Sequence, residues 1–268
     1  MRPNAQRVGA IIAEIADQEI LPHYRKLRPG AVRAKENPQD LVTIVDEAME
    51  AALKRALLDL TPGAGFIGEE LAAADPTVLE QIGGDACWIV DPLDGTRNFV
   101  NGVDEFGVII AYVEKSECAL GWIYAVPDRA MAIGERGAGV VLNGDAVKSD
   151  PMRDARPSGL RSTGWLAPEW RDRLVSSLRR NTNSKSGHCS AYAYLKLIRG
   201  EIDFKLSSRI HAWDHAAGAL MLEELGGEAR WLDTGEPYRP QKSEDRPLLA
   251  TAPGRDWRGI ARLLLAPA

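Results

Sequence analysis

A run of four apolar residues that ends in an acid most constrains the fold of this chain. Cys87, Trp88, Ile89 and Val90 are followed directly by Asp91. A continuous apolar run of this kind, without alternation, is typical of a strand that is covered on both faces. We therefore expect at least one sheet buried between other layers, with a carboxylate at the end of one strand.

The segment that ends this strand, residues 91–96, reads Asp-Pro-Leu-Asp-Gly-Thr. Its proline stiffens the turn, and its glycine permits a positive φ. A tight turn can direct Asp91, Asp94 and the Leu93 carbonyl into one volume, where Mg²⁺ finds the oxygen ligands it prefers. Two carboxylates so close raise each other's pKa unless a cation keeps both ionised. The same residue types also form ordinary polar turns, so this segment alone leaves both interpretations open.

Composition limits what such a protein can do. The 268 residues, 45% of them hydrophobic, can bury one large core or two fused smaller ones. A formal charge of −5 argues against a main role in holding nucleic acid. The three cysteines show no CxxC spacing, so we expect neither disulfides nor a thiolate zinc site, which suits a reducing cytoplasm. The apolar stretch 107–113 is too short to cross a bilayer, so no membrane association is expected.

Helices and strands alternate along the chain. We predict helices over residues 6–27, 47–58, 168–180, 191–199, 215–225 and 256–265, the first interrupted at Pro22. We predict strands over residues 65–67, 106–114, 119–126, 130–135, 160–163, 202–206, 229–232 and 248–251. Turn signals separate the three strands between 106 and 135, which indicates an antiparallel meander in the N-terminal half.

This alternation indicates a layered α/β (α+β) architecture with two halves. A polar loop is expected over residues 28–39, after the first helix. Asp150-Pro151 breaks any regular element, so the seam is expected near it. The predicted division gives an N-terminal half over residues 1–148 and a C-terminal half over residues 149–268.

Three further segments carry acids, and each has an ordinary structural interpretation. Glu69 and Glu70 are typical of a solvated pair at a helix start. Thr43 or Asp46 can cap the helix that follows them. Asp214 opens a helix of small residues, where a first-turn acid favours the helix dipole. The agreement of these segments with the Asp-Pro-Leu-Asp-Gly-Thr segment, rather than any one of them, points to a shared site.

Together the four segments resemble the inositol monophosphatase family of lithium-sensitive, metal-dependent phosphatases. The family motif is similar to residues 88–100 nearly residue for residue, and a partner motif is similar to residues 213–218. The resemblance runs from Lys35 to beyond Gly227. It implies a layered α-β-α-β-α fold of the sugar-phosphatase type with a second, smaller sheet in the C-terminal half. It also implies a homodimer.

The resemblance implies a metal centre with two to three Mg²⁺ ions per subunit. A first ion is expected on Glu69, Asp91 and the Leu93 carbonyl. A second is expected on Asp91, Asp94 and Asp214, so that Asp91 bridges the two. A weaker third ion would use Glu69 and water.

The resemblance also implies catalytic roles. Asp46 and Thr96 match the pair that orients and deprotonates the attacking water, and Glu70 matches a carboxylate near the metal-bound water. Gly95 and Thr96 match positions that hold the phosphate. Lys35 matches a lysine of a mobile loop near the site. In-line attack by a metal-activated water is the mechanism that these residues would serve.

The substrate side of the site departs from the well-studied animal inositol enzymes. Ser207 stands where those enzymes have a glutamate that contacts inositol hydroxyls, and His188 stands where glycine is typical. Together with Ser190, these are candidate substrate contacts. Arg209 is another candidate, which could read a second phosphate or a carboxylate; a solvated surface charge is the alternative.

The predicted reaction is therefore hydrolysis of a small polyol or sugar phosphate, such as inositol monophosphate, with inhibition by lithium. Histidinol phosphate, fructose 1,6-bisphosphate and a 3′(2′),5′-bisphosphate nucleotide remain alternative substrates. A different class of alternative is an interaction protein of the RNA-polymerase machinery.

Overall fold

The computed structural model of the protein describes residues 2–27, 30–34, 41–148 and 156–266. Its α-helices are α1 (Ala5–Glu19), α2 (Ile44–Leu60), α3 (Glu69–Ala74), α4 (Thr96–Val100), α5 (Pro168–Asn181), α6 (Ser190–Ile198), α7 (Ala212–Glu224) and α8 (Trp257–Leu265). Its strands are β1 (Val32–Ala34), β2 (Leu41–Thr43), β3 (Gly65–Gly68), β4 (Ala86–Asp94), β5 (Gly107–Glu114), β6 (Glu117–Ala125), β7 (Ala130–Glu135), β8 (Gly139–Leu142), β9 (Asp145–Ala146), β10 (Ser158–Ser162), β11 (Asn183–Ser186), β12 (Phe204–Ser207), β13 (Glu228–Trp231) and β14 (Leu248–Thr251).

The larger sheet is a meander with one parallel strand added. Its seven strands follow the order β3-β4-β5-β6-β7-β8-β9. From β4 to β9 each strand pairs antiparallel with the next, which confirms the predicted meander and extends it to β9. β3 joins β4 in parallel.

Helices cover both faces of this sheet. Along β5, Val108 and Ile110 enter the core beneath α1 and α2, whereas Ile109 and Ala111 enter the core beneath α6 and α7. Burial on both faces is the reason that the apolar runs of β4 and β5 show no alternation.

The middle helices pack closely because small residues meet at their contacts. A Cβ on Gly121 of β6 would lie 2.9 Å from the Cα of Ala217 in α7. A Cβ on Gly218 of α7 would lie 2.2 Å from Cγ of Tyr194 in α6. Ala217 and Gly218, in the middle of α7, therefore let the helix pack between β6 and α6.

The smaller sheet has the strand order β11-β10-β12-β14-β13. β10 runs parallel to β11 and β12, whereas β14 runs antiparallel to β12 and β13. α5 and α8 cover its far face around Phe204, Leu206 and Leu249. The layers are thus α1–α2, the larger sheet, α6–α7, the smaller sheet and α5–α8, which confirms the predicted α-β-α-β-α fold.

The N-terminal segment differs from the sequence prediction. α1 ends at Glu19 rather than at residue 27, and residues 20–25 form turns. Pro22 lacks an N–H, and Arg25 has a φ of +58°, so a helix cannot continue through them. The loop predicted over residues 28–39 contains β1, which pairs with β2; residues 28, 29 and 35–40 lie outside the described residues.

Other boundaries agree within a few residues, and those of β7 and β14 match the prediction. The strand predicted to end just before Asp91 runs on to Asp94, with a register shift between the two. β11 is missing from the sequence prediction because its residues, Asn183–Ser186, are all polar. The division between residues 148 and 149 stays a prediction, because residues 149–155 lie outside the described residues. Within the described part of the chain, no helix has the length and apolar character needed to span a membrane.

Candidate functional site

Three carboxylates from two distant parts of the chain meet at the end of β4. Asp91, Asp94 and Asp214 each offer a carboxylate oxygen, and these oxygens all lie within 4.8 Å of one another. β4 contributes the first two and bulges between them, and the first turn of α7 contributes the third. The structure thus brings together the three aspartates predicted for the second metal. Their role as ligands stays a prediction.

The carboxylates of this cluster disfavour one another's ionised form. Burial raises the pKa of Asp91 well above its usual value, and the neighbouring charges of Glu69, Asp94 and Asp214 raise it further. Burial and the Asp94 carboxylate raise the pKa of Asp214 to about 7. A bound cation reverses this effect because it favours the ionised form. Buried carboxylate oxygens beside the Leu93 carbonyl are the donor set that fits Mg²⁺.

The start of α6 holds Asp94. Its Oδ1 accepts from the N–H of Ser190 at 3.0 Å. Its Oδ2 accepts from the N–H of Ala191 and from the thiol of Cys189, both at 2.7 Å. These donors lower the pKa of Asp94, although burial raises it by more. The carboxylate is therefore oriented by a helix from the C-terminal part of the chain.

Thr96 and Asp46 meet beside the cluster. The Thr96 hydroxyl lies 3.0 Å from Asp46 Oδ1 and 3.0 Å from the Leu93 carbonyl oxygen, so it can donate to one of them at a time. Asp46 Oδ2 accepts from the N–H of Thr43 at 2.8 Å and from its hydroxyl at 2.6 Å, which completes the capping box of α2. Burial raises the pKa of Asp46 to about 6, although these hydrogen bonds lower it. Asp46 thus caps the helix and also reaches Thr96.

Glu69 and Glu70 begin α3, and a third glutamate holds that helix in place. Glu50 of α2 is buried, and its two oxygens accept from the N–H groups of Glu70 at 2.9 Å and Leu71 at 3.0 Å. A Cβ on Gly68 would lie 2.1 Å from Glu50 Oε2, so a larger residue at this position would displace the Glu50 carboxylate. Glu69 is close enough to raise the pKa values of the nearby aspartates.

Gly95 sits at the turn between β4 and α4. Its φ is +85°, and a Cβ there would lie 3.0 Å from the carbonyl oxygen of Glu105. Glycine is required on both counts. The left-handed turn places Gly95 and Thr96 at the start of α4, at the edge of the carboxylate cluster.

A cavity of about 530 Å³ opens over the cluster. Its lining includes the predicted metal ligands and phosphate-binding residues, namely Glu69, Asp91, Leu93, Asp94, Gly95, Thr96 and Asp214. It also includes all the predicted substrate contacts, namely His188, Ser190, Ser207 and Arg209. The guanidinium of Arg209 lies 4.4 Å from the centroid of the Trp165 ring at this cavity, and its role as a substrate contact stays a prediction.

Other predicted residues lie elsewhere. Asp46 and Glu70 do not line the cavity within the described part of the chain, and Lys35 lies outside the described residues. His215 is buried, and its Nδ1 is 2.8 Å from the Tyr194 hydroxyl.

Glu50, Cys189 and Lys205 are among the polar residues at the site that were absent from the sequence prediction. Glu50 follows Asp46 by one helical turn, a spacing that puts both acids on one face of α2. Cys189 and Lys205 carry no such signal, because their positions depend on how the C-terminal part of the chain packs on β4.

The model of a family described as the inositol monophosphatase family matches residues 3–264. Inositol monophosphatase 1 of Sus scrofa is 28% identical over 242 residues, which cover 87% of this chain and 82% of the relative. The fructose-1,6-bisphosphatase/inositol-1-monophosphatase of Thermotoga maritima is 30% identical over 203 residues, 75% of either chain. Among solved structures, an IMPase/NADP phosphatase complexed with Mg²⁺ and phosphate aligns with a TM-score of 0.81 and 20% identity, over 98% of this chain and 97% of that one.

Proposed function

The chain belongs to the inositol monophosphatase family and is a phosphoric monoester hydrolase, and from this premise we propose that it hydrolyses a small polyol or sugar phosphate with Mg²⁺. Inositol monophosphate is the proposed representative substrate. The observation that carries the proposal is the convergence of Asp91, Asp94 and Asp214 within 4.8 Å, at the floor of a cavity large enough for such a molecule.

The side chains around the cluster fit this chemistry. Bound Mg²⁺ would lower the pKa of a water molecule and stabilise the leaving oxygen. Asp91, Asp94, Asp214, Glu69 and the Leu93 carbonyl are the proposed ligands, for two to three ions.

Proton transfer is assigned to a neighbouring pair. When the Thr96 hydroxyl donates to Asp46, its oxygen can accept from an attacking water, so the proton can move toward the Asp46 carboxylate. The capping box fixes Asp46, which keeps the pair in position without a substrate. Little covalent work is left to the protein, so positioning and electrostatics dominate.

Phosphate release tests the proposal. With inositol 1-phosphate or glycerol 2-phosphate, release should require Mg²⁺, and Asp214→Asn should lower kcat by about 100-fold or more. Asp104→Asn is a matched control, because Asp104 is an exposed partner of Arg25 and lies away from the cavity. Equal activity of wild type and Asp214→Asn would refute the proposed centre.

A substrate screen would refine the proposal. Fructose 1,6-bisphosphate belongs in it because the Thermotoga maritima relative carries that activity in its name. Histidinol phosphate and a 3′,5′-bisphosphate nucleotide complete the set. Inhibition by millimolar Li⁺ is proposed on the match at the metal positions, and activity indifferent to Li⁺ would contradict it. A homodimer is proposed as well, which light scattering of the purified protein would test.

A further inference from the structure

A buried lysine lies in the wall of the cavity. Among the described lysines Lys205 alone is buried, with an exposure of 7%. It belongs to β12, where Phe204 and Leu206 point into the core beneath α5 and α8. Because side chains alternate along a strand, Lys205 and Ser207 share the opposite face, and both line the cavity.

Neighbouring residues fix the position of the ammonium group. Its Nζ donates to the Ser207 hydroxyl oxygen at 2.8 Å and lies 5.0 Å from the centroid of the Tyr194 ring. That ring cannot retreat, because Gly218 packs against it and its hydroxyl is bonded to His215. A side chain held in this way is a built feature of the site rather than a mobile surface cation.

The ammonium group of Lys205 is charged at neutral pH, and only one of its three N–H groups donates to a described residue. Burial lowers the pKa of Lys205 to about 8, so the protonated form still prevails at pH 7. An ammonium has three N–H donors. Among the described residues its one hydrogen-bond acceptor is Ser207, so two donors can serve a molecule in the cavity.

The acids nearest to Lys205, Asp94 and Asp214, are proposed metal ligands. The charge of Lys205 lowers the pKa values of Asp94 and Asp214, so it lies on their side of the cluster. If these two carboxylates are engaged with cations, their charge is neutralised there. A buried ammonium then needs a different anionic partner, since an uncompensated buried charge is costly.

We propose that Lys205, positioned by Ser207, binds a second anionic group of the substrate, beside the phosphate ester that is hydrolysed. This inference rests on the proposed function and makes Lys205 a residue that determines specificity. The group is a carboxylate or a second phosphate, since an ammonium serves both as a point charge. The preferred substrates are therefore phosphate esters that carry such a group close to the ester.

Two matched substrate pairs test this inference. 2-Phosphoglycerate and glycerol 2-phosphate differ by one carboxylate, and fructose 1,6-bisphosphate and fructose 1-phosphate differ by one phosphate. The wild type should favour the more anionic member of at least one pair. Lys205→Met should lower kcat/KM for that member by about 10- to 100-fold. For glycerol 2-phosphate and fructose 1-phosphate, Lys205→Met should change kcat/KM by less than about threefold, because these substrates have no second anionic group for the ammonium to bind. The pair that responds identifies the group.

Controls separate specificity from a structural effect. Lys205→Met replaces a buried cation by an apolar chain of similar length, and unchanged hydrolysis of glycerol 2-phosphate would show that it folds. Lys54→Met removes a part-buried lysine of α2 that lies outside the cavity. It should leave kcat/KM for both members of each substrate pair unchanged. Ser207→Ala should reduce the same preference, since it releases the ammonium from its acceptor.

Three results would decide against the inference. Equal losses on both members of each pair in Lys205→Met would mean that the lysine only supports the carboxylate cluster. A wild type that shows no preference within either pair would also overturn the inference. A wild type that releases phosphate from none of the four compounds with Mg²⁺ would instead refute the proposed function, on which the inference depends.

Discussion

Glu50→Gln tests whether a buried glutamate behind the site positions a proposed metal ligand. Glu50 accepts two hydrogen bonds from the first turn of α3, at 2.9 Å and 3.0 Å. A glutamine keeps one oxygen acceptor but turns an NH₂ group toward the second backbone N–H. One charge-assisted bond is therefore lost, and two donors face each other.

The expected cost can be worked from these contacts. A hydrogen bond to a charged group contributes about 1.5–3 kcal/mol, so the free energy of unfolding should fall by about that amount. Glu69 is the first residue of α3, and its position depends on the same turn. The Mg²⁺ concentration that gives half-maximal activity should therefore rise several-fold.

The assay combines urea unfolding with an Mg²⁺ titration of phosphate release. Glu47→Gln is the matched control, because Glu47 lies on the same helix but is exposed and pairs with exposed Arg33. That variant should stay within about 0.5 kcal/mol of wild type. If Glu50→Gln lost stability but kept the wild-type Mg²⁺ dependence, the link from Glu50 to the metal centre would be refuted. Equal unfolding free energies of the two variants would refute the stability argument itself.

Gly218→Ala should lower the free energy of unfolding by about 1–3 kcal/mol, because the added Cβ would lie 2.2 Å from the Tyr194 ring. Gly83→Ala, which meets open space, is its control in thermal unfolding. Cys189→Ser should keep kcat within about threefold because a hydroxyl still donates to Asp94, whereas Cys189→Ala should lower it by about tenfold in the same phosphate assay. Burial raises the pKa values of the Cys87 and Cys118 thiols to about 12, so both stay protonated at pH 8. A thiol reagent at pH 8 should therefore react with Cys87 and Cys118 only after unfolding; rapid labelling of either residue in the native protein would contradict this.

The sequence predicts well those elements whose residues respond to local rules. The two-sided apolar runs of β4 and β5 predict a covered sheet, and the turn signals between 106 and 135 predict the meander, which the structure confirms. The end of α1 is wrong by eight residues, although Pro22 marks a break, because a break by itself does not show on which side the helix ends. β11 could not be predicted, since a polar strand is defined by its neighbour β10 rather than by its own residues.

Some residues of the site can also be predicted from local segments of the sequence, and others cannot. The cluster of Asp91, Asp94 and Asp214 is predicted from residues that stand in short, recognisable segments. Cys189 and Lys205 are not predicted, because a thiol beside a carboxylate and a buried ammonium both arise from the packing of the C-terminal part on β4. Such contacts leave no periodicity in the sequence.

The middle helical layer links the chemistry to the packing of the whole fold. The first two N–H groups of α6 and the thiol of Cys189 just before it donate to Asp94, and α7 carries Asp214. α7 is seated against the larger sheet at Gly121, where a Cβ would meet Ala217 at 2.9 Å. The distance from Asp91, which belongs to the sheet, to Asp214 therefore depends on how closely α7 can approach. Because this approach needs small residues rather than charged ones, a methyl group added at this contact would change the spacing of the carboxylates without touching any of them.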